Sequence, residues 1–276
     1  MNFFYFPIFM FFNLNSPGET CSLGMFDRSD SLRRALLAEE LRLPFLKGMA
    51  PSPLAKARCE VAKLSFNASV LLIFLPMFFS DLMIAIIDYN AGNLKSISNA
   101  IAKLGETPLV TKKAEDFEKA DKIILPGVGS FERSKELKEI KESLRIEIIK
   151  NRKPFFGICL GMQLLAKESE EKAGEGLGLL EQKVVKIKHA PKLPHMGWNN
   201  LKIVHEHPFL EGINEKDYFY FVHSYALPVA TETIAITEYG EAFSSIIAKN
   251  NVFASQFHPE KSGEKGLLIL KRFLKS

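Results

Sequence analysis

One stretch, Lys153–Gln163, constrains the fold more than any other part of the chain. Its apolar run Phe155–Ile158 is typical of a buried strand, and the residues after Gly161 favour a helix. Cys159 lies at the junction, with Gly157 and Gly161 on either side. A nucleophile flanked by small residues at a sharp strand-to-helix turn is the geometry called a nucleophile elbow, and the helix start favours a thiolate. An inert buried cysteine is the alternative that this stretch alone leaves open.

From Met83 onward, the segments around this stretch alternate between strand and helix patterns. Such alternation predicts parallel βαβ units in a doubly wound α/β sheet, with ligands bound beyond the carboxyl ends of the strands. The predicted elements are strands 83–88, 107–110, 122–125 and 155–158, a helix capped by Asn93, and a helical region over 134–150. The C-terminal half is β-rich, with predicted strands 182–188, 201–204, 217–221, 233–239, 244–248 and 252–256, and a closing helix 264–274 with Ser262 as its cap.

Residues 1–82 do not share this pattern. Their aromatic beginning lacks the basic residues of a secretory signal. The apolar run Val70–Phe79 is interrupted by Pro76 and is shorter than the roughly 20 residues that cross a membrane. We interpret residues 1–82 as an atypical extension, either disordered or upstream of a mis-assigned start, and residues 83–276 as the working domain. A membrane tether is the alternative for the extension.

The composition argues against several classes of function. The chain has 276 residues, 47% of them hydrophobic, and a net charge of +4, without a dense Lys/Arg block of the kind that binds nucleic acid. Its three cysteines form no CxxC pair, and its six histidines show no metal-ligand spacing. We therefore expect no metal, no cofactor, no nucleic acid and no membrane partner, and a reducing, cytoplasmic compartment.

A thiol nucleophile needs a base, and the base needs a group that orients it. His258 follows the last predicted strand, and Glu260 lies two residues further on. Side chains at i and i+2 of an extended segment point to the same side, so Glu260 can accept the imidazole N–H and fix the tautomer that faces Cys159. A structural histidine is the alternative for His258 alone, but its pairing with Glu260 favours the catalytic interpretation.

Acyl transfer also needs donors for the negative charge that develops on the carbonyl oxygen. Gly127, Val128 and Gly129 follow a predicted strand in the sequence Pro-Gly-Val-Gly and can present consecutive N–H groups. The N–H of Leu160, next to the nucleophile, is the second candidate donor. An ordinary strand-to-helix turn is the alternative for this motif alone.

Three motifs, in this order and spacing, resemble those of the class I (triad) glutamine amidotransferases: Pro126–Gly129, Gly157–Gln163 and Phe257–Glu260. Further motifs are similar to those of the glutaminase subunits of imidazole glycerol phosphate synthases within that family, namely Asp88–Asn93, Leu193–Asn199, Phe221–Tyr225 and His258–Ser262. The resemblance covers residues 83–276. It implies a flavodoxin-like, largely parallel mixed sheet with flanking helices.

The resemblance also implies a reaction. Cys159 would attack the side-chain amide of glutamine, His258 would pass a proton to the leaving ammonia, and Glu260 would orient His258. The residues implied to hold the amino-acid end of glutamine are Gln163, Ser224 and Tyr225. The ammonia would pass to a (β/α)8-barrel cyclase subunit, in a heterodimer that makes imidazole glycerol phosphate and an aminoimidazole carboxamide ribotide in histidine biosynthesis.

Some residues of the family-specific motifs have no evident part in the hydrolysis. Those implied to face the partner are Asn93, Met196, Trp198 and Lys261. A lone tryptophan is usually a core residue, but an exposed one in a docking patch is a typical anchor. We also hypothesise that Pro126–Gly129 turns its N–H groups into place only when the partner binds, since glycines lower the energy of that rotation. We interpret the remaining histidines of this region as structural: His195, His205, His207 and His223.

Two other functions stay open at this point. The chain could be the glutaminase subunit of another amidotransferase, of anthranilate or GMP synthesis, although the Leu193–Asn199 and His258–Ser262 motifs argue against it. It could also be a non-catalytic docking subunit, although all three triad positions are filled.

Overall fold

The computed structural model describes residues 82–276, together with two short strands, Phe9–Met10 and Leu23–Gly24, that pair antiparallel. Its further strands are β1 (Ile84–Ile87), β2 (Pro108–Thr111), β3 (Lys122–Leu125), β4 (Phe155–Ile158), β5 (Val185–Lys186), β6 (His195–Asn200), β7 (Lys202–Ile203), β8 (Tyr218–His223), β9 (Tyr225–Ala226), β10 (Thr233–Tyr239), β11 (Glu241–Lys249) and β12 (Val252–Ser255). Its α-helices are α1 (Leu94–Lys103), α2 (Ala114–Lys119), α3 (Lys141–Arg145), α4 (Leu160–Gln163) and α5 (Gly263–Lys275). The predicted extension, residues 1–82, lies almost entirely outside the described residues.

The main sheet has eight strands in the order β2-β1-β3-β4-β12-β11-β10-β7. The first five are parallel to one another, and the last three continue the sheet antiparallel. Because β3, β4 and β12 are neighbours and run in the same direction, their carboxyl ends lie at one edge of the sheet. The Pro-Gly-Val-Gly motif, Cys159 and His258 all follow these three ends.

The parallel strands bury both of their faces. Ile86 and Phe156 pack on one side of the sheet, against α1 and α5. Ile87 and Phe155, each one residue away, pack on the other side with α2, α3 and α4. This alternation is the two-residue period of an extended chain, and burial on both faces explains why these strands read as continuous apolar runs.

A smaller sheet forms beside the site, where β6 pairs antiparallel with β8. Trp198 lies directly opposite Tyr220 in this pair, and both are on its outer face. The backbone N–H of His258 donates to the Tyr220 carbonyl at 2.9 Å. This small sheet is therefore attached directly to the segment that carries His258.

The α/β fold class, with a largely parallel sheet and flanking helices, is confirmed. The β-rich C-terminal half is also found, and the strand predicted at Thr233–Tyr239 has the observed bounds. The motif Leu193–Asn199 was predicted as a loop, which is wrong, because most of it forms β6. This segment becomes a regular strand only because it pairs with β8. The residues within the motif, which are typical of turns, do not predict that long-range contact.

The region predicted as helical over 134–150 is mostly helical, but it is not one continuous α-helix. It consists of a 3-10 segment at Phe131–Leu137, then α3, then a π-helix at Ile146–Lys150. The distant Asn251 amide donates to the carbonyls of Ile148 and Lys153, at 2.9 and 2.7 Å, so tertiary contacts shape the end of the segment.

Ser262 occupies the predicted N-cap position of α5, but its side chain makes no capping hydrogen bond. Its hydroxyl donates instead to the His258 carbonyl at 2.6 Å and accepts from the Tyr220 N–H at 3.0 Å. The predicted cap of α1 is correct: the Asn93 side chain accepts from the Ser96 N–H at 3.3 Å.

Replacing Asn93 tests that cap. Asn93→Ala should lower the free energy of unfolding by about 1 kcal/mol, since it leaves a helix N–H without its acceptor. Asn93→Ser keeps a capping oxygen and should recover most of the loss. Urea denaturation of both variants makes the comparison, and equal losses would show that Asn93 is not a cap.

Candidate active site

Cys159 has the backbone of a nucleophile elbow. It follows β4 and precedes α4 with φ 53° and ψ −105°, a conformation that side-chain-bearing residues rarely adopt. Its N–H donates to the Ser255 carbonyl at 2.8 Å. A Cβ added to Gly161 would lie 1.8 Å from the Leu125 carbonyl oxygen, and one added to Gly157 would lie 2.7 Å from that of Gly161. Only glycines therefore allow the turn to pack this closely.

His258 and Glu260 are in contact, as predicted. Nδ1 of His258 lies 2.9 Å from Oε1 of Glu260, with both side chains almost fully buried. The carboxylate can only accept, so Nδ1 carries the proton and Nε2 is left for Cys159. Burial of the ring lowers its pKa, but the charge of the Cys159 sulfur and the hydrogen bond and charge of Glu260 outweigh this and raise the pKa of His258 to about 10. The ring is thus held as an acid beside the sulfur.

Cys159 and His258 border one cavity of about 130 Å³. It contains the predicted site residues Val128, Gly129, Cys159, Gln163, Ser224, Tyr225 and His258. The prediction did not include Glu171, Val222 and His223, which line the cavity too. Glu171 is the lining carboxylate, and it accepts from the Phe131 N–H at 2.7 Å.

Gln163 is held at the floor of this cavity. Its Nε2 donates to the Tyr225 carbonyl at 2.8 Å and to Oε1 of Gln256 at 3.2 Å. The Gln256 amide in turn donates to the Cys159 sulfur at 3.6 Å. Gln256 was missed from the sequence, although it lies in the strand-end segment that leads to His258.

Two of the predicted oxyanion donors, the N–H groups of Val128 and Leu160, face protein carbonyls in this structure. The Val128 N–H donates to the Ala91 carbonyl at 2.6 Å, and the Leu160 N–H approaches the Gly127 carbonyl at 3.4 Å. The first contact is short, and the second is long for a hydrogen bond. The conformation is therefore one in which neither N–H points at a substrate oxygen.

Two histidines interpreted as structural form a buried pair next to the cavity. Nδ1 of His223 lies 3.0 Å from the Tyr225 carbonyl, and its Nε2 lies 3.1 Å from Nδ1 of His195. A carbonyl can only accept, so His223 donates from Nδ1, and His195 must donate from its own Nδ1 to His223. Nε2 of His195 then accepts from the Asn199 amide at 3.4 Å. Burial lowers the pKa of His195 to about 4 and that of His223 to about 3, so both rings are neutral.

The residues predicted to face a partner divide into two groups. Trp198 and Met196 are 56% and 63% exposed, which is unusual for large apolar side chains. The Lys261 ammonium lies 5.7 Å from the Tyr220 ring centroid, and that ring contacts Trp198 edge to face. We call these residues, together with the exposed Tyr218, the aromatic surface. Asn93 differs from them, because its side chain caps α1.

Within residues 82–276, no group of three or more His, Cys, Asp or Glu side chains is placed to hold a metal ion. None of the described helices is long and apolar enough to span a membrane.

The family model for Glutamine amidotransferase class-I matches residues 85–276. The match covers more than half of the chain and includes every site residue named above. The chain belongs to the class-I glutamine amidotransferase family.

Within that family, the relatives compared below are imidazole glycerol phosphate synthase subunits of the HisH type. The HisH subunit of Methanocaldococcus jannaschii is 53% identical over 195 residues, which covers 70% of this chain and 98% of the relative. That of Methanothermobacter thermautotrophicus is 49% identical over 195 residues, with the same two coverages. The predictions of family and of glutaminase function are confirmed.

Solved structures support the fold. A glutamine amidotransferase from Thermotoga maritima matches with a TM-score of 0.53 at 18% identity, covering 72% of this chain and all 100% of the other. PurLQS from Thermotoga maritima matches with a TM-score of 0.58 at 17% identity, covering 71% and 98%.

The histidine pair predicts a pH dependence of stability. Both rings have folded-state pKa values below the ordinary 6.5, so the unfolded chain binds protons first as the pH falls. Their contribution is complete above pH 6.5 and should be lost from there down to about pH 4 and pH 3. In His195→Asn, the amide replaces the Nδ1 donor without a titratable group, so stability should fall less steeply over this range. Urea midpoints measured from pH 7 to pH 4 test this, and parallel curves for the variant and the parent would contradict it.

Proposed function

We propose that this chain is the glutaminase subunit of an imidazole glycerol phosphate synthase and that it hydrolyses glutamine through Cys159, His258 and Glu260. The geometry of the site supports this assignment of residues. Cys159 has a strained backbone at a strand end, and it lies beside His258, whose tautomer is fixed by the buried carboxylate of Glu260. No other part of the described structure combines a nucleophile with an oriented base.

The chemistry follows from the charge state of this pair. The Cys159 thiolate attacks the carbonyl carbon of the glutamine side-chain amide. Protonated His258 then gives its Nε2 proton to the leaving nitrogen, the C–N bond breaks, and ammonia and a glutamyl thioester remain. Neutral His258 next removes a proton from water, which attacks the thioester and releases glutamate. Glu260 stabilises the charged ring in both steps.

The cavity accommodates the amino-acid end of glutamine. Gln163 uses its amide N–H groups on Tyr225 and Gln256, which leaves Oε1 to accept from the substrate ammonium. The Glu171 carboxylate adds a favourable charge for the same ammonium. The backbone at Ser224 and Tyr225 supplies polar groups for the substrate carboxylate.

The oxyanion site has to be assembled from the conformation described above. The peptide unit between Gly127 and Val128 carries both the Gly127 carbonyl and the Val128 N–H. One rotation of this unit withdraws the carbonyl from the Leu160 N–H and the Val128 N–H from the Ala91 carbonyl. Both oxyanion donors are then released together. We propose that binding of the partner drives this rotation, which agrees with the hypothesis made from the glycines.

The partner would be a (β/α)8-barrel cyclase subunit, in a heterodimer, docked on the aromatic surface. Tyr220 of this surface accepts from the His258 N–H, so the docking face and the catalytic base are on adjoining segments. Val222 of the same strand lines the cavity, so ammonia formed there lies beside the docking face. Channelling to the partner requires no long path through this chain.

The working domain would be residues 83–276, with residues 1–82 as an extension that contributes nothing to the chemistry. We propose a reducing, cytoplasmic compartment, because the mechanism needs Cys159 as a free thiol.

Loss of the thiol tests the mechanism. In the complex of the full chain with its cyclase subunit, Cys159→Ala should lower glutamine-dependent synthesis by about 10⁴-fold or more. Synthesis with ammonium salt as the nitrogen source should be unchanged, because the cyclase site is intact. Product formation is measured with each nitrogen source. Retention of glutamine use by the variant would rule out this mechanism. Stimulation of glutamine hydrolysis by the synthase subunit of anthranilate or GMP synthesis, and not by the cyclase subunit, would rule out this partner.

The docking face is tested by truncating its anchor. Trp198→Ala should raise the Kd for the cyclase subunit by roughly 30-fold, the loss expected for a central aromatic anchor. Ile149→Ala is the matched control, because Ile149 is 53% exposed but lies on the π-helix. Titration calorimetry gives both values, and equal effects of the two variants would place the interface elsewhere.

A further inference from the structure

Tyr89 has a buried hydroxyl without a hydrogen-bond partner among the described residues. The residue is 2% exposed, and its OH neither donates to nor accepts from another described group. An unsatisfied buried hydroxyl is costly, and native structures keep few of them. Such a group is explained if it acquires its partner in a second conformation of the protein.

The hydroxyl lies against the segment that has to move. A Cβ added to Gly127 would lie only 2.2 Å from the Tyr89 oxygen and 2.7 Å from Cβ of Leu160. Tyr89 follows β1 and Gly127 follows β3, and these strands are neighbours in the sheet. The phenol oxygen therefore touches the backbone of the residue whose carbonyl now faces the Leu160 N–H.

Rotation of the Gly127–Val128 peptide leaves one acceptor without a donor. The Gly127 carbonyl turns away from Leu160, whose N–H is then committed to the substrate oxyanion. The segment is packed between Tyr89 and Leu160, both buried, so the carbonyl needs a donor from the protein.

We propose that the Tyr89 O–H donates to the Gly127 carbonyl after the peptide has rotated, and so holds Val128 and Leu160 in the oxyanion-binding arrangement. The proposal rests on the function proposed above. Tyr89 is on this account a positioning residue, which acts through Gly127 and touches neither glutamine nor the sulfur during the reaction. Burial raises the pKa of Tyr89, and the charge of Cys159 adds to this, so the phenol keeps the proton that it must donate.

Tyr89→Phe removes only the hydroxyl, so its effects on the active conformation and on the uncomplexed conformation can be measured separately. In the complex with the cyclase subunit, kcat for glutamine hydrolysis should fall by about fivefold to tenfold, the loss expected for one hydrogen bond of the active state. KM for glutamine should stay the same, since substrate contacts are unchanged. The Tm of the uncomplexed chain should not fall and should rise by about 2 °C, because a buried unsatisfied group is gone.

Ser98→Ala is the matched control. The Ser98 hydroxyl oxygen on α1 is another buried group without a partner among the described residues. Removal of this hydroxyl should also leave Tm equal or higher. It should not change kcat for glutamine hydrolysis in the complex with the cyclase subunit. The rate of Cys159 alkylation by iodoacetamide, which displaces iodide and forms no oxyanion, should be the same in the parent and in both variants.

Two results would overturn the proposal. One is an unchanged kcat for glutamine hydrolysis by Tyr89→Phe in the complex with the cyclase subunit. The other is a fall in kcat accompanied by a lower Tm and a changed alkylation rate, which would mean that the phenol only supports the elbow. Failure of the proposed function has a different signature, because in that case the cyclase subunit would not stimulate the parent chain at all.

Discussion

The parallel pairing of β4 with β12 is the interaction on which the site depends. Ile158 lies opposite Ser255 at the ends of these strands, so the residues that follow them leave the sheet at the same edge. Cys159 comes immediately after one strand, and its N–H is held by the Ser255 carbonyl at 2.8 Å. His258 comes three residues after the other. The sheet thus brings together Cys159 and His258, the proposed nucleophile and base, which are 99 positions apart in sequence (258 − 159). It also holds the strained turn that places the buried Cys159 at the cavity.

The same edge carries both the proposed triad and the proposed oxyanion donors. His258 and Glu260 are in contact at this edge, where Cys159 also lies, while the N–H groups of Val128 and Leu160 are turned toward Ala91 and Gly127. An oxyanion donor typically raises kcat by about 10²–10³-fold. A conformation that keeps these N–H groups away from the substrate is therefore enough to restrain hydrolysis. On the proposal made above, the restraint is one peptide unit, beside a phenol that has no hydrogen-bond partner among the described residues. A glutaminase that supplies ammonia to a second subunit benefits from such control, since ammonia made without the partner is lost.

Much of the fold and of the candidate site could be predicted from local sequence patterns. The predictions that failed have physical causes. The parallel strands are apolar runs of four residues, so the α/β fold and the position of Cys159 were predictable. His258 and Glu260 were predictable because an i, i+2 spacing fixes their relation. We predicted a loop at Trp198, because β6 forms a regular strand only when it pairs with β8. His195 and His223 looked ordinary, because their pairing depends on the register of that same small sheet. The helical character of residues 134–150 was predictable, but its division into three segments was not, since Asn251, far along the chain, holds its end.

The most direct test of the account is the environment of the Val128 amide. Its hydrogen exchange can be followed by NMR in the uncomplexed chain and in the complex with the cyclase subunit under activating conditions. The account predicts an amide that exchanges slowly in the uncomplexed chain, because it is bonded to the Ala91 carbonyl at 2.6 Å, and that changes its chemical shift and loses this protection in the complex. A Val128 amide that is unprotected in the uncomplexed chain and unaltered by the partner would contradict it.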